Sequence, residues 1–599
     1  IVDTPEIDVD RELRPTIGEF TLRAFVAPYR GRIASGMVLV TATALVSLAG
    51  PAIIRHGVDA GIRPHDTGAL WFAAALFAAV SLANWWLVWA AGLFTGRTSR
   101  QLLFGLRMRV FAQLQRLGMD FYEREMAGRV MTRMTSDIEA FQSLFQNGIV
   151  GAGTNLLTFG GAAVVLVAMN ARLAAATLVV AVPLVIVTRW FRRRSDISYS
   201  DVRDRVAAVN ANFQESLSGV RVAQAYVREQ HNMGQFREVA RAHLAARQQA
   251  NQLHAFFFPF VEFISIVAQA IAVGVGTSMV RRGELSPGSL IAFVLYLSAV
   301  FNPVQQLSQV FDTYQQARAA LGKIRDLLAT PVGTPVPSPP VRPGRLRGEI
   351  RLEGVQFRYP AAAEDALRGI DLEVAPGEAL ALVGETGSGK STIVKLVARF
   401  YDPTGGRVLV DGMALDELDV VAYRRQLGIV PQEAFLFSGT IRANIAYGRP
   451  DASDAEVEDA ARAVGAHDFI ATLPMGYRQR VTERGRSLSA GQRQLVALAR
   501  ARLVDPAILL LDEATSNLDL ATEARVTRAM RIVAEGRTTI LIAHRLQTAC
   551  RADRIAVIDD GHVIESGTHD ALLAANGAYA SLWSAHSVTT EVPTPVPGA

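Results

Sequence analysis

The chain has 599 residues, of which 50% are hydrophobic and 20% charged, and it carries a net charge of +5. With a mean hydropathy of +0.21, it is neither one water-soluble domain nor a disordered chain, but it fits a membrane protein with a soluble domain attached. The basic excess is no nucleic-acid footprint, because Arg30, Arg32, Arg97, Arg100, Arg189 and Arg192 to Arg194 stand beside apolar runs, where anionic lipid head groups attract them.

The chain opens on a polar stretch, Ile1 to Pro15, with no pattern of a cleavable signal peptide. It begins without methionine, so native N-terminal residues are expected to be missing. Residues 1–32 read as an N-terminal segment ending in an amphipathic elbow helix, Glu19 to Arg30, that rests on the inner membrane face. Six apolar stretches follow, at 33–54, 69–93, 149–169, 173–190, 256–280 and 289–310. A spanning helix needs roughly 20 such residues.

Short loops join the stretches in pairs, and two long polar segments, 95–148 and 191–254, separate the pairs. These segments hold arginine, glutamate and glutamine on helical spacing and almost no proline. Neither has the apolar content for a core of its own, so both are expected to continue the membrane helices outward. About 25 helical residues reach almost 40 Å. The long loops carry far more arginine than the short ones, which makes them, and both termini, cytosolic. Residues 33–328 therefore read as an α-helical membrane bundle of six transmembrane helices with long cytosolic extensions.

Residues 329–345 contain Pro331, Pro335, Pro337, Pro339, Pro340 and Pro343 and read as a linker. From 346 to 587, short β-branched runs alternate with helices, the pattern of a soluble α/β domain. The tail, 588–599, is rich in threonine, proline and valine and is expected to be disordered. The single cysteine, Cys550, suits a reducing cytosol.

Two motifs carry chemistry, the first by its own pattern and the second by its place after Leu488 to Gln492 and before Ser516 to Asp519. Gly384-Glu385-Thr386-Gly387-Ser388-Gly389-Lys390-Ser391 follows an apolar strand, Ala379 to Val383, and precedes a helix from Thr392. Its glycines let the backbone curl so that N–H groups meet phosphate oxygens; Lys390 reaches the β- and γ-phosphates and the Ser391 hydroxyl suits Mg²⁺. Further on, the apolar run Ile508 to Leu511 ends in Asp512 and Glu513. Asp512 suits Mg²⁺, and Glu513 suits orienting and deprotonating the attacking water.

In sequence order, Tyr359, the loop 384–391, Gln432 in Val430-Pro431-Gln432, Leu488-Ser489-Ala490-Gly491-Gln492, Asp512-Glu513, Ser516-Asn517-Leu518-Asp519 and His544 resemble the seven motifs of an ATP-binding cassette. With the membrane half ahead of it, the chain resembles a half-transporter of the ABC exporter type. The resemblance implies an α/β P-loop ATPase domain with a helical subdomain, using ATP and Mg²⁺. It implies that Tyr359 stacks on adenine, that Thr392 belongs with the phosphate loop, and that Gln432 touches Mg²⁺ or the attacking water. His544 would contact the γ-phosphate. Ser489, Ala490, Gly491 and Gln492, with Asp519, would belong to the nucleotide site of a facing cassette, Ser489 and Gly491 capping its γ-phosphate. The common signature has glycine where Ala490 stands. Phe121 to Asp137 and Glu215 to Tyr226 resemble the two intracellular loops of such exporters. Glu483-Arg484-Gly485 resembles their segment before the signature, with Thr482 in place of the usual glycine.

The resemblance implies a multi-pass protein of the bacterial inner membrane that exports or flips an amphipathic substrate, such as a lipid, a drug-like molecule or a peptide. It would work by alternating access as a dimer of half-transporters among membrane lipids. Import of a metal chelate on the same fold is the alternative, as is an ATP-gated channel, against which intact Glu513 and His544 count. The six spans argue against a cassette ATPase that acts on nucleic acid. Glu513 beside the altered signature tilts the expected partner toward an unlike half, a heterodimer rather than a homodimer.

Overall fold

A computed structural model describes residues 21–146, 151–335, 339–360, 362–482, 485–512, 519–543 and 545–588, without the side chains of 302–309, 311–312 and 586–588. The chain forms two compact units: residues up to 115 with 128–329, and residues 116–127 with everything from 330 onward.

In chain order the helices include α1 (Arg30–His56), α2 (Thr67–Arg116), α3 (Met119–Arg124), followed by two short helices, Ala127–Met134 and Ser136–Ser143, then α4 (Gly151–Met169), α5 (Ala171–Leu178), α6 (Ala181–Ser218), α7 (Val220–Ala225), α8 (Glu229–Arg281) and α9 (Pro287–Ala329). All but α3, the last residue of α2 and Ala127 belong to the first unit. Among the described residues, five helical stretches are long and apolar enough to cross a membrane: Leu22–Ile62, Thr67–Arg116, Ala127–Met169, Ala171–Ser218 and Glu229–Arg281. The sixth expected stretch falls in α9, whose described apolar run is Pro287–Phe301. Helices α2 and α8 have 50 and 53 residues. At 1.5 Å per residue each exceeds the roughly 30 Å hydrocarbon core more than twofold, which bears out the expected extensions.

Three local departures have covalent causes. The expected elbow helix is broken into Leu22–Val26 and a 3₁₀ turn, Ala27–Tyr29, because Pro28 has no N–H to continue the helix; Glu19 and Phe20 lie outside the described residues. The fourth span breaks at Val179–Val180 between α5 and α6, where Pro183 cannot bond the Val179 carbonyl and its ring crowds it. The polar segment after α2 is not one helix: Gly118, in an extended conformation, ends the run and caps α3.

The membrane unit packs through small residues, as helices must when lipid supplies no hydrophobic drive between them. Ala162, Ala268, Ala272 and Ala292 are fully buried. Phe257 stacks on Phe191 with ring centroids 3.9 Å apart, while its neighbour Phe256 is exposed. Tyr296 donates to the Leu48 carbonyl at 2.6 Å and so ties α9 to α1.

The second unit holds β1 (Ile350–Phe357), β2 (Leu367–Val374), β3 (Ala379–Val383), β4 (Gly405–Val410), β5 (Met413–Ala414), β6 (Leu427–Val430), β7 (Gly439–Thr440), β8 (Arg480–Val481), β9 (Ile508–Asp512), β10 (Thr538–Ile542), β11 (Arg554–Asp559) and β12 (His562–Gly567). A six-stranded sheet has the order β12-β11-β3-β10-β9-β6, parallel except for the edge strand β12. Its central strands read as unbroken apolar runs because both faces are covered. A four-stranded antiparallel sheet has the order β2-β1-β4-β5, and β7 pairs with β8. One core lies among β1, β2, β4 and helix α10 (Lys390–Val397). A second, helical core gathers Ile441, Val457, Ile470 and the buried face of α11 (Ala490–Val504), joined by α12 (Leu520–Ala534).

Candidate nucleotide-binding site

Strand β3 lies between β10 and β11 and delivers the chain into the loop 384–389. Gly384, Gly387 and Gly389 take φ of 146°, 92° and 110°, the left-handed backbone that a tight curl of the chain needs and that suits an anion-binding loop. A methyl group at Gly384 would collide with the Ile558 carbonyl oxygen, and one at Gly389 would lie 2.7 Å from Leu367 Cδ2. Helix α10 then opens at Lys390. The loop is braced from β11–β12, where the Gly561 amide donates to the Ser388 carbonyl at 3.1 Å.

Lys390 is only 4% exposed. Its Nζ donates to the Gly384 and Glu385 carbonyls at 2.9 and 2.6 Å and lies 3.4 Å from Ser388 Oγ. Burial pushes its pKa below the usual lysine value, and the Asp512 carboxylate opposes that shift. Asp512 ends β9, paired in register with Ile542 of β10. Val430 of β6 is in register with Leu511, so Gln432, two residues past β6, leaves the neighbouring strand end and is exposed. Gln494 on α11 donates to the adjacent Pro431 carbonyl at 3.3 Å.

Tyr359 follows β1 and is half-buried. Its ring meets Phe357 and Tyr401 edge to face, and its hydroxyl lies 3.1 Å from Thr392 Oγ1 on the first turn of α10. The residue expected to meet adenine is thus joined to the helix that carries Lys390. Glu385, Thr386, Gly387 and Ser391 are exposed along the loop, and Ser388, Gly389 and Thr392 are buried beneath it.

The signature stands apart, over the helical core. Ser489 is the N-cap of α11 in a reciprocal capping box: Ser489 Oγ accepts from the Gln492 amide at 3.2 Å, and Gln492 Oε1 accepts from the Ser489 amide at 2.9 Å. Ala490 is the exposed first helical residue and Gly491 is buried behind it. Asp519 caps α12 likewise, accepting from the Thr522 amide at 3.0 Å, and Thr522, through its hydroxyl and its amide, holds the carboxyl below its usual range. Glu513, Ser516 to Leu518, His544, Glu483 and Arg484 lie outside the described residues. In the membrane unit, a cleft of about 440 Å³ mixes apolar with hydroxyl and amide groups, among them Val40, Thr43, Val88, Thr95 and Gln146.

Reading the sequence alone missed the capping box, although Ser489-x-x-Gln492 is its pattern. It also missed Lys395 and Tyr401, which flank Tyr359, and Glu123, which bonds Lys395; no local spacing links Glu123 to a residue 272 positions away.

Comparison with known proteins agrees with this geometry. Residues 33–304 match the family described as ABC transporter transmembrane region, and residues 367–516 match the family described as ABC transporter. A multidrug efflux ATP-binding/permease protein of Mycobacterium tuberculosis is 45% identical over 95% of this chain but only 48% of its own length, so the chain spans about half of that relative. An ATP-dependent lipid A-core flippase of Chromohalobacter salexigens is 34% identical over 94% of this chain and 96% of its own. Among solved structures, a bacterial Atm1-family ABC exporter with ATP bound matches with a TM-score of 0.78 at 30% identity, covering 95% of this chain and all of that one.

Proposed function

The chain belongs to the ABC transporter family, and on that premise we propose that it is one half of an ATP-driven transporter that exports or flips an amphipathic substrate. The observation that carries this reading is the union, in one chain, of membrane-spanning helices with a phosphate loop whose buried Lys390 faces the strand-end Asp512. The mixed lining of the membrane cleft suits a cargo with apolar and polar parts. The relatives' names, multidrug efflux and lipid A-core flippase, point to the same substrate class.

In this reading ATP lies along residues 384–392 with its base on Tyr359. Lys390 exchanges the loop carbonyls for phosphate oxygens, a stronger charge-assisted partner. The donor set fits Mg²⁺, a hard cation held by one or two protein oxygens and the phosphates themselves: Ser391 offers a hydroxyl and Asp512 a carboxylate, with Gln432 next to them. Mg²⁺, when bound, neutralises phosphate charge. Glu513 takes the proton of the attacking water and His544 holds the γ-phosphate side. The Ser489 hydroxyl accepts from Gln492 and keeps its own hydrogen for a phosphate oxygen on a facing cassette, alongside Ala490, Gly491 and Asp519.

That arrangement requires a second cassette, on another chain or further along a longer one. Its membrane-side counterpart is supported by the exposed apolar tip at Val220, Val222, Tyr226 and Val227, and by the exposed aromatic group Phe435, Phe437 and Tyr447 on the cassette unit. Ala490 beside intact Glu513 tilts the partner toward an unlike half. The arginine-rich extensions support a location of the cassette and both termini in the cytosol, at the bacterial inner membrane.

Glu513→Gln tests the reading in the intact protein in lipid nanodiscs. ATP should still bind while turnover falls about a hundredfold or more, and ATP-dependent uptake of a fluorescent amphiphile into inverted vesicles should stop. Unaltered hydrolysis would overturn the assignment of the base.

A further inference from the structure

Helix α3 lies in the polar segment after the second apolar stretch, yet it packs in the same unit as the cassette. It is seated beside the linker, where a methyl group at Gly333 would lie 2.6 Å from Asp120 Oδ1. On α3, Glu123 accepts from Lys395 Nζ at 2.8 Å, and both side chains are about two-thirds covered, at 38% and 32% exposed. Lys395 lies on α10, further along the helix that Lys390 opens. Its ammonium is 5.2 Å from the Tyr359 ring centroid, 5.9 Å from that of Tyr401, and 3.4 Å from the Tyr359 hydroxyl.

The charges at this junction are firmly held. Burial pushes Glu123 up, but the hydrogen bond and charge of Lys395, with the facing Tyr401 hydroxyl, outweigh it and keep the carboxyl below its usual range. Burial pulls Lys395 down, and the bond to Glu123 more than restores it. Tyr401 is buried, and its hydroxyl has no well-formed hydrogen bond among the described residues, although it faces Glu123, whose charge adds to burial in raising its pKa.

We propose that Glu123, Lys395 and Tyr401 form a relay that positions the Tyr359 ring for the adenine base and reports the base's presence to α3. The ring is fixed by the Lys395 cation, the edges of Phe357 and Tyr401, and the Thr392 hydroxyl, so stacking orders little that is not already ordered. Lys395 stands where it does because Glu123 holds it. Coupling of this kind is reciprocal: if the seat of α3 improves base binding, base binding steadies α3 by the same factor. Glu123 and Lys395 are positioning residues, and the proposal rests on the reading of Tyr359 as the base-stacking residue.

The intact protein in lipid nanodiscs supplies the test, read by ATP hydrolysis and by hydrogen exchange of the α3 amides with and without ADP. Glu123→Gln and Lys395→Gln should each raise KM for ATP about three- to tenfold with kcat within about twofold. Each should also abolish the ADP-induced protection of α3, and Lys395→Arg, which keeps the charge and the ring contact, should preserve both. Tyr359→Ala separates the two layers. If it raises KM while Glu123→Gln changes neither KM nor α3 protection, the relay is overturned and base stacking stands. If Tyr359→Ala leaves KM unchanged, base stacking itself fails. Should Lys395→Gln fold poorly, Glu123→Gln, on the helix outside the cassette's cores, decides alone.

Discussion

Ser489 has two jobs that substitutions can separate. Its Oγ caps a helix of 15 residues by accepting the Gln492 amide, while Gln492 returns a bond to the Ser489 amide. Losing a serine N-cap costs about 1 kcal/mol, which for a domain of this size lowers Tm by roughly 2–4 °C. The second job falls to the hydroxyl hydrogen, which in the proposed site meets a phosphate oxygen. A hydrogen bond to a charged group contributes about 1.5–3 kcal/mol, or roughly a ten- to hundredfold change in turnover. Ser489→Ala should therefore lose both, with a small fall in Tm and a large fall in ATP hydrolysis. Ser489→Asp is the discriminating variant. Aspartate caps as well as serine and favours the positive end of the helix dipole, so Tm should hold or rise. Yet it sets a carboxylate against the γ-phosphate, and hydrolysis should fall by about a hundredfold or more, since like charges brought together cost several kcal/mol. Differential scanning fluorimetry and a phosphate-release assay on the same preparations read the two effects. Wild-type hydrolysis by Ser489→Asp would refute the assignment of the signature to a nucleotide.

The phosphate loop depends on backbone that only glycine adopts without strain. Gly384→Ala should cost about 2 kcal/mol or more at its positive φ and abolish ATP binding in equilibrium dialysis, whereas normal binding would show that the loop does not need this curl. Glu378 accepts from Arg554 Nε at 2.6 Å and from the Ala375 amide at 2.7 Å, and these bonds outweigh burial to depress its pKa. Because the folded-state pKa lies below the unfolded value of about 4.3, its stabilisation is complete above that value and is lost as pH falls through the folded one. Solvent screening keeps it to about 1 kcal/mol, so the Tm difference between wild type and Glu378→Gln should be present at neutral pH and shrink as the pH falls below the unfolded value and through the folded one. Ala490→Gly should lower Tm slightly, by the roughly 1 kcal/mol that glycine costs in a helix. A marked rise in hydrolysis would mean that the alanine impairs its site, and no change would favour two equivalent sites.

The glycine-rich loop and the core strands are legible because their signals are local. Glycines at 384, 387 and 389 are demanded by positive φ, and Leu380 to Val383 and Ile508 to Leu511 are unbroken apolar runs because both faces of their sheet are covered. The membrane spans and their extensions were legible for a similar reason: composition along one helix decides whether it can leave lipid. What escaped depends on long-range packing. The resemblance of the segment from Phe121 to an intracellular loop points to a cassette contact, and Met119 to Arg124 do pack with the cassette unit, but the Glu123–Lys395 pair joins residues that only the folded chain brings together. Arg399, 1% exposed, is the same kind of case: it bonds the carbonyls of Pro335, Asp416 and Leu418, so a buried charge pins the linker to the cassette where composition predicted only an extended connection.

The capping box also narrows what Ala490 can mean. A glycine in the signature could have been needed for a left-handed backbone or for close approach within the cassette. Neither holds at this position: Ala490 is an exposed residue in the first turn of α11, and the cap is carried by Ser489 and Gln492 on either side of it. Alanine is the better helix former there, so the substitution harms nothing inside its own chain. Its one consequence is a methyl group on the face that, in the proposed dimer, meets the nucleotide of the other half. The choice between a like and an unlike partner thus reduces to whether that methyl group fits against the facing nucleotide.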